Sequence, residues 1–114
     1  MRINGERTLT ENIADNGGLK GAYMAYMSWV KEHGNEKTLP GLNFTPNQLF
    51  WIRAANVWCE KINKQHLEWV IKNWKHPTKK FRMNGPMSNL PEFSSDFQCL
   101  PGMPMSRKTK CEVW

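Results

Sequence analysis

The stretch Glu11–Gly18, with the sequence ENIADNGG, is the most informative part of this chain. Glu11 and Asp15 are four positions apart, so on a helix both carboxylates project from one face. Such a pair suits a metal site in which one carboxylate binds the ion and the other orients a neighbouring ligand. An acidic pair at this spacing is more often only a solvated helix face. The octet by itself therefore leaves both interpretations open.

The sequence supplies no evident partners for a metal bound at Glu11. It contains no H-E-x-x-H motif, and its three histidines, His33, His66 and His76, are scattered. No G-x-S-x-G, P-loop or G-x-G-x-x-G motif is present either. We interpret the octet as one part of a site whose other part lies outside this chain.

Composition narrows the class of protein. The chain has 114 residues, which is the size of one domain, and a net charge of +6. Its basic residues are dispersed, with small clusters at 79–82 and 107–110, and no zinc-finger or RNA-binding signature accompanies them. Nucleic acid is therefore not an expected partner. We find no signal peptide and no apolar run of transmembrane length in this chain.

Cysteine usage leaves two alternatives. Cys59, Cys99 and Cys111 form an odd set whose spacing matches no C-x-x-C motif. They are either free buried thiols of a cytosolic protein or they pair with cysteines outside this chain in an oxidising compartment. Asn43-Phe44-Thr45 is an N-glycosylation sequon, which has meaning only in the second case.

Apolar periodicity predicts a mostly helical chain. A polar start near Thr8 is followed by the Gly17-Gly18 pair, which should interrupt the pattern, and then by an amphipathic helix from Leu19 to about Lys31. The further expected elements are a buried helix from about 47 to 62, a helix from about 66 to 73, an extended segment at 81–83, a turn at 84–86 and a short helix from about 90 to 97, capped by residues 88–89. The tail, 99–114, closes on Cys and Trp and should be pinned to the rest of the chain.

Two further residues have side chains suited to catalysis. His76, in a loop beside Pro77, could donate a hydrogen bond to a developing oxyanion. Arg82 could bind a substrate carbonyl or, bidentately, a carboxylate. On local spacing alone, ordinary surface positions are the default interpretation of both residues, and the many aromatic residues are expected in the helix core.

Several blocks of the sequence together form a recognisable pattern. They are Thr8–Gly18, Leu39–Leu42, Thr45–Phe50, Val57–Cys59, Phe81–Pro86, Ser88-Asn89, Pro91–Phe93 and Cys111–Trp114. In this order, from about Asn4 to the last residue, the chain resembles the C-terminal end of the neprilysin/endothelin-converting-enzyme family of zinc metallopeptidases.

The resemblance implies roles for individual residues. Glu11 corresponds to the third zinc ligand, and Asp15 to the acid that orients a zinc-binding histidine. His76 corresponds to the histidine that stabilises the tetrahedral intermediate, and Arg82 to the substrate-binding arginine. The segment around His76 departs from the family, because the usual acidic residue two positions earlier is Trp74 and Pro77 follows directly.

The resemblance also implies the context of the chain. Residues 1–114 are expected to form the C-terminal, mostly α-helical part of a zincin-type catalytic domain that hydrolyses small peptides. The H-E-x-x-H part is expected to precede it, so this segment alone should be inactive. Cys59, Cys99 and Cys111 should bond to partners earlier in the parent protein, which would be secreted or membrane-anchored and could carry a glycan at Asn43.

Two alternatives remain beside this interpretation. The chain could be a truncated, non-catalytic paralogue or a binding decoy. It could also be a free cytosolic helical module, in which case its three thiols would be readily labelled.

Overall fold

The computed structural model describes residues 3–113, and these form helices and connecting loops without a β-strand. This confirms the mostly helical fold class. The five helices are α1 (Leu9–His33), α2 (Pro46–Asn56), α3 (Lys64–Asn73), α4 (Lys79–Asn89) and α5 (Pro91–Asp96).

Helix α1 is continuous through Gly17-Gly18, so the expected interruption is wrong. A glycine inside a helix costs about 1 kcal/mol relative to alanine. Here the residues just before the pair are held by α4, through the Asp15–Arg82 ion pair and a hydrogen bond from Asn89 to Asn16. Tertiary contacts thus outweigh the local preference.

Helix α1 ends at His33, because the next residue has a positive φ that does not continue the helix. Gly34 has a φ of 83°, in the region that favours glycine, and its N–H donates to the carbonyl of Val30.

Helix α2 begins as the sequence predicts and ends earlier. The hydroxyl of Thr45 accepts from the Gln48 N–H, the Gln48 side chain accepts from the Thr45 N–H, and Pro46 occupies the first helical position. The helix ends at Asn56, whereas we expected Ile62. It is also not buried on most faces, because only Trp51 is fully enclosed by the described residues.

Helix α4 replaces the extended segment and the turn that we expected at 81–86. A proline inside a helix costs about 3 kcal/mol, and Pro86 lies inside this one. Burial of Met83 and Met87 on the same face offsets that cost, since each buried methionine contributes about 1.5–3 kcal/mol. The short helix that follows begins after Leu90, so the predicted cap at Ser88-Asn89 is also wrong.

The core joins α1, α2, α4 and α5. Its buried members are Tyr23, Trp51, Met83, Met87 and Leu90. The Tyr23 and Trp51 rings stack with centroids 4.5 Å apart, which fixes α2 against α1.

Asp96, at the end of α5, connects the same helices by hydrogen bonds. Its carboxylate accepts from the Tyr23 hydroxyl at 2.7 Å, from Trp51 Nε1 at 2.7 Å and from Asn47 Nδ2 at 3.1 Å. Each of these polar groups in the core therefore has a partner, as burial requires.

The tail is attached to the helices near its described end, in agreement with the prediction that it is pinned. Lys110 Nζ donates to the Ser88 carbonyl at 3.0 Å and to Ser94 Oγ at 3.3 Å. The N–H of Cys111 donates to Asn89 Oδ1. Trp114, which the sequence predicts to be part of this attachment, lies outside the described residues.

Candidate functional site

Glu11 and Asp15 lie in the first two turns of α1 and face α4, as the four-residue spacing predicts. Their side chains are 26% and 12% exposed. The pair is therefore not a solvated helix face, because α4 and the loop before it cover both carboxylates.

Arg82 of α4 binds both acids. Its Nε and Nη2 donate to the two carboxylate oxygens of Asp15 at 2.8 and 2.7 Å, and Nη2 also donates to Glu11 Oε2 at 3.2 Å. Two parallel bonds of this kind give strength and a fixed orientation. The hydrogen bonds to Asp15 are the main reason that the pKa of Arg82 is raised above its ordinary value, and burial opposes them.

His76 lies in the loop between α3 and α4. Its Nδ1 is shielded from solvent and lies 3.1 Å from Glu11 Oε2, although the geometry of the contact is not that of a hydrogen bond. The next two residues, Pro77 and Thr78, are buried. They hold the loop at this position, with His76 directed to the acids.

The four candidate residues thus meet at one place, although 71 positions separate Glu11 from Arg82. Oε1 of Glu11 makes no polar contact with the described residues, so it is available to a ligand. Each Asp15 oxygen accepts one bond from Arg82 and retains a lone pair for a second donor. The cluster can therefore bind a cation through Glu11 and orient a further donor through Asp15.

Trp58 belongs to this cluster, which the sequence did not predict. The Arg82 guanidinium lies over its indole, 4.0 Å from the ring centroid, so a cation–π contact adds to the hydrogen bonds that hold the arginine. We had expected Trp58 in the helix core, and it does pack against the core, partly buried, from the segment after α2. Its apolar surroundings in the sequence carry no signal that would separate it from a core residue.

A pocket of about 390 Å³ opens beside His76 and Arg82. Its walls include Trp58, Trp69 and Trp74, and the last two indoles are about half exposed. The lining combines these indoles with polar and charged side chains, among them His66, His76 and Arg82, and ligand sites likewise combine apolar walls with polar groups.

The described residues do not complete a metal site. Among residues 3–113, no group of three or more His, Cys, Asp or Glu could hold a metal ion. Zinc in a peptidase takes three protein ligands and one open position, so this part of the molecule fits as the donor of one ligand, Glu11. The remaining donors would have to come from outside it.

The other predicted sites lie away from the cluster. Asn43 is exposed in the loop between α1 and α2. Cys59 and Cys111 are exposed, Cys99 is partly buried, and none of the three bonds to another. No helix of the described chain is both long and apolar enough to cross a membrane.

Comparison with known proteins is consistent with this geometry. The model of Peptidase family M13 matches residues 1–113. The chain is 46% identical to neprilysin-2 of Drosophila melanogaster over its whole length, and 51% identical to endothelin-converting enzyme 1 of Cavia porcellus over 98% of it. It spans 15% of the length of each of these relatives.

A solved structure is also similar. The Haemonchus galactose-containing glycoprotein complex superposes with a TM-score of 0.90 at 40% identity, covering 98% of this chain and 20% of that one. The chain matches these proteins in sequence and in structure along nearly its whole length, and it belongs to peptidase family M13.

Proposed function

We propose that this chain forms part of the active site of a zinc metalloendopeptidase that cleaves small peptides. The observation that carries the proposal is the convergence of Glu11, Asp15, His76 and Arg82, which come from three separate segments. Relatives that are named neprilysin and endothelin-converting enzyme support it.

Glu11 would provide one ligand of the metal, and Asp15 would support a second. When bound, Zn²⁺ supplies Lewis-acid polarisation of the scissile carbonyl and activates water. Arg82 holds Asp15 through both oxygens. The free lone pairs of Asp15 then point in a defined direction, as a residue that orients a ligand requires.

His76 and Arg82 would act on the substrate. An imidazole that directs Nδ1 toward Glu11 presents Nε2 on its opposite side, where, if protonated, it can donate to a developing oxyanion. Arg82 has five N–H donors, and its bonds to Asp15 and Glu11 use two of its nitrogens. The remaining donors can bind a peptide carbonyl.

The peptide would lie along the aromatic pocket beside these two residues. Its walls of Trp58, Trp69 and Trp74 suit an apolar side chain. We further propose that the parent acts outside the cytoplasm, as an ectodomain or secreted enzyme. A relative with 45% identity is named membrane metallo-endopeptidase-like 1, from Homo sapiens.

Substitution of Glu11 tests the metal assignment. The experiment uses a longer product in which this chain is joined to an upstream segment bearing H-E-x-x-H, and it measures bound zinc and peptide cleavage. We expect Glu11→Gln to lower kcat/KM at least about 100-fold and to reduce zinc content, because one of three ligands is lost. Glu32→Gln, at an exposed position of the same helix, is the matched control.

The result also decides against the alternatives. Full zinc content and rate in the Glu11→Gln variant would show that the ligand assignment is wrong. If the unmodified joined protein binds no zinc and cleaves no peptide, a non-catalytic paralogue or binding decoy becomes the better interpretation.

A further inference from the structure

The loop 34–45 connects α1 to α2 and is the most exposed part of the described chain. Each of its residues is exposed. It ends in Asn43-Phe44-Thr45, and no other asparagine of the chain is followed by x-Ser or x-Thr. The single sequon therefore lies in a surface loop, the setting in which an acceptor asparagine is expected.

We propose that Asn43 carries an N-linked glycan. This inference rests on the extracytoplasmic location proposed above. In the transfer step, a bond forms between Asn43 Nδ2 and the anomeric carbon of an oligosaccharide carried on a lipid pyrophosphate. The bond from that carbon to the pyrophosphate oxygen breaks, and the lipid pyrophosphate leaves as an anion. The amide nitrogen releases one proton, which balances the charge of the leaving group.

The side chain of Asn43 is available for this reaction. It forms no hydrogen bond or ion pair with any residue of the described range. By contrast, Nδ2 of Asn16 donates to the Asn12 carbonyl, and Nδ2 of Asn47 and of Asn89 donates to another side chain. Attachment of a sugar at Nδ2 would therefore break no contact that stabilises the fold.

Thr45 would have two roles at different times, first as part of the glycosylation sequon and then as the N-cap of α2. In the folded chain its hydroxyl accepts from the Gln48 N–H at 3.2 Å and caps α2. The hydroxyl is therefore accessible as part of the acceptor before α2 forms, during synthesis, and it becomes the helix cap afterwards. The two roles can be separated by substitution, because aspartate also caps a helix but does not complete a sequon.

The loop also has a surface that a glycan would cover. Leu39, Leu42 and Phe44 are 52%, 45% and 41% exposed. Exposed apolar patches favour association, and Leu42 and Phe44 flank Asn43 in the sequence. A hydrophilic glycan between Leu42 and Phe44 would hold other molecules away from them.

A glycan at Asn43 would not obstruct the candidate active site. The Tyr26 hydroxyl donates to Glu36, and the Tyr26 ring stacks on Phe50, which ties the start of the loop and the first half of α2 to this level of α1. Tyr26 lies 15 residues after Glu11, or about 22 Å along the helix axis. A glycan at Asn43 would therefore start far from the acids and Arg82.

The test is expression of the chain behind a cleaved secretion signal in a eukaryotic host, with intact-mass measurement before and after treatment with peptide-N-glycosidase. We expect one glycan mass, removed by the enzyme with conversion of Asn43 to Asp. Total lumenal protein is analysed as well as secreted protein, so that a folding defect does not hide the modification.

Four variants complete the test. Asn43→Gln and Thr45→Asp should lack the glycan, and Thr45→Asp should retain the thermal stability that Thr45→Ala loses. Thr45→Ser should keep both the glycan and the cap. An unmodified Asn43 in lumenal wild-type protein, or a glycan retained in Thr45→Asp, would overturn the inference. None of these readouts depends on peptidase activity, so the two proposals can fail separately.

Discussion

At the scale of single residues, the planar guanidinium of Arg82 holds the acids of the candidate site in place. Its guanidinium is 17% exposed and the carboxylate of Asp15 is 12% exposed. Charges this well covered are tolerated when their hydrogen bonds are satisfied, and removal of one partner leaves the other unpaired. A lysine would keep the charge but lose the planar pair of donors.

We expect strong coupling between Arg82 and Asp15 in a double-mutant cycle. Arg82→Ala and Asp15→Ala should each destabilise the chain by about 2 kcal/mol, because each strands a covered charge. The double variant should be more stable than the sum predicts, by about 1–3 kcal/mol. Urea unfolding measures all four proteins. Effects that add within about 0.3 kcal/mol would show that the ion pair does not contribute to folding.

At the scale of elements, α1 shows how contacts between helices overcome a local signal. A pair of glycines usually loosens a helix, yet α1 runs unbroken for 25 residues. Its first turns are attached to α4 at Asp15 and Asn16, and its second half is attached to α2 at Tyr23. The glycines lie between two fixed ends, so the helical conformation continues through them.

Replacement of Gly18 by alanine should stabilise the chain. A Cβ added at Gly18 meets nothing within 4 Å, and alanine reduces the conformational freedom of the unfolded chain. The expected gain is about 0.4–1 kcal/mol. Gly34→Ala is the contrasting control, since the φ of 83° at Gly34 strains any side chain and should make the variant less stable. A loss of stability in Gly18→Ala, measured by thermal unfolding, would contradict this account of α1.

At the scale of the whole molecule, the bonds to Asp96 hold the helices together. Tyr23 is 6% exposed and donates to Asp96. Burial is the largest cause of its raised pKa, followed by the hydrogen bond to Asp96 and the charge of that carboxylate. The pKa of Tyr26 is raised in the same direction, by burial and by its bond to Glu36.

These shifts predict a loss of stability at alkaline pH. A tyrosine whose pKa is higher in the folded state stabilises the fold fully below the ordinary value of about 10. Above about pH 10 the tyrosine loses its proton first in the unfolded chain, so stability falls by at most about 1.4 kcal/mol per pH unit for each such tyrosine until its folded-state pKa is reached. Urea unfolding between pH 8 and 11 should show this decline.

The matched variant is Tyr23→Phe. It should be less stable near neutral pH by about 1–2 kcal/mol, since Asp96 loses a donor. Its decline above pH 10 should be shallower than that of the wild type. Parallel pH profiles for the two proteins would exclude Tyr23 as the titrating group.

Some features of the fold were predictable because their causes are local. The cap at Thr45 and the proline after it place the start of α2, and α1 ends at His33, two residues beyond the end predicted near Lys31. The errors arose where contacts distant in sequence prevail. Pro86 is helical because Met83 and Met87 are buried beside it, and Ser88 donates to the Gly85 carbonyl where we had expected it to cap a helix.

The candidate site likewise has features that the sequence predicts and features that it does not. Residue types and four-residue spacing placed Glu11 and Asp15 on one helix face, and resemblance to a family named His76 and Arg82, whose roles stay predictions. The arrangement of Trp58 over Arg82 had no signal in the sequence. A stacking contact between a loop residue and a helix residue depends on how the two segments meet, which local spacing does not encode.

The sequence by itself determines that this chain is helical, where several helices begin, and to which family it is similar, because caps, apolar periods and ordered motifs are local properties. Only the tertiary structure decides that the carboxylates of Glu11 and Asp15 face Arg82 and His76. Those contacts link residues about 65–71 positions apart, and they form because burial of Tyr23, Met83 and Met87 packs α4 and α1 into one core.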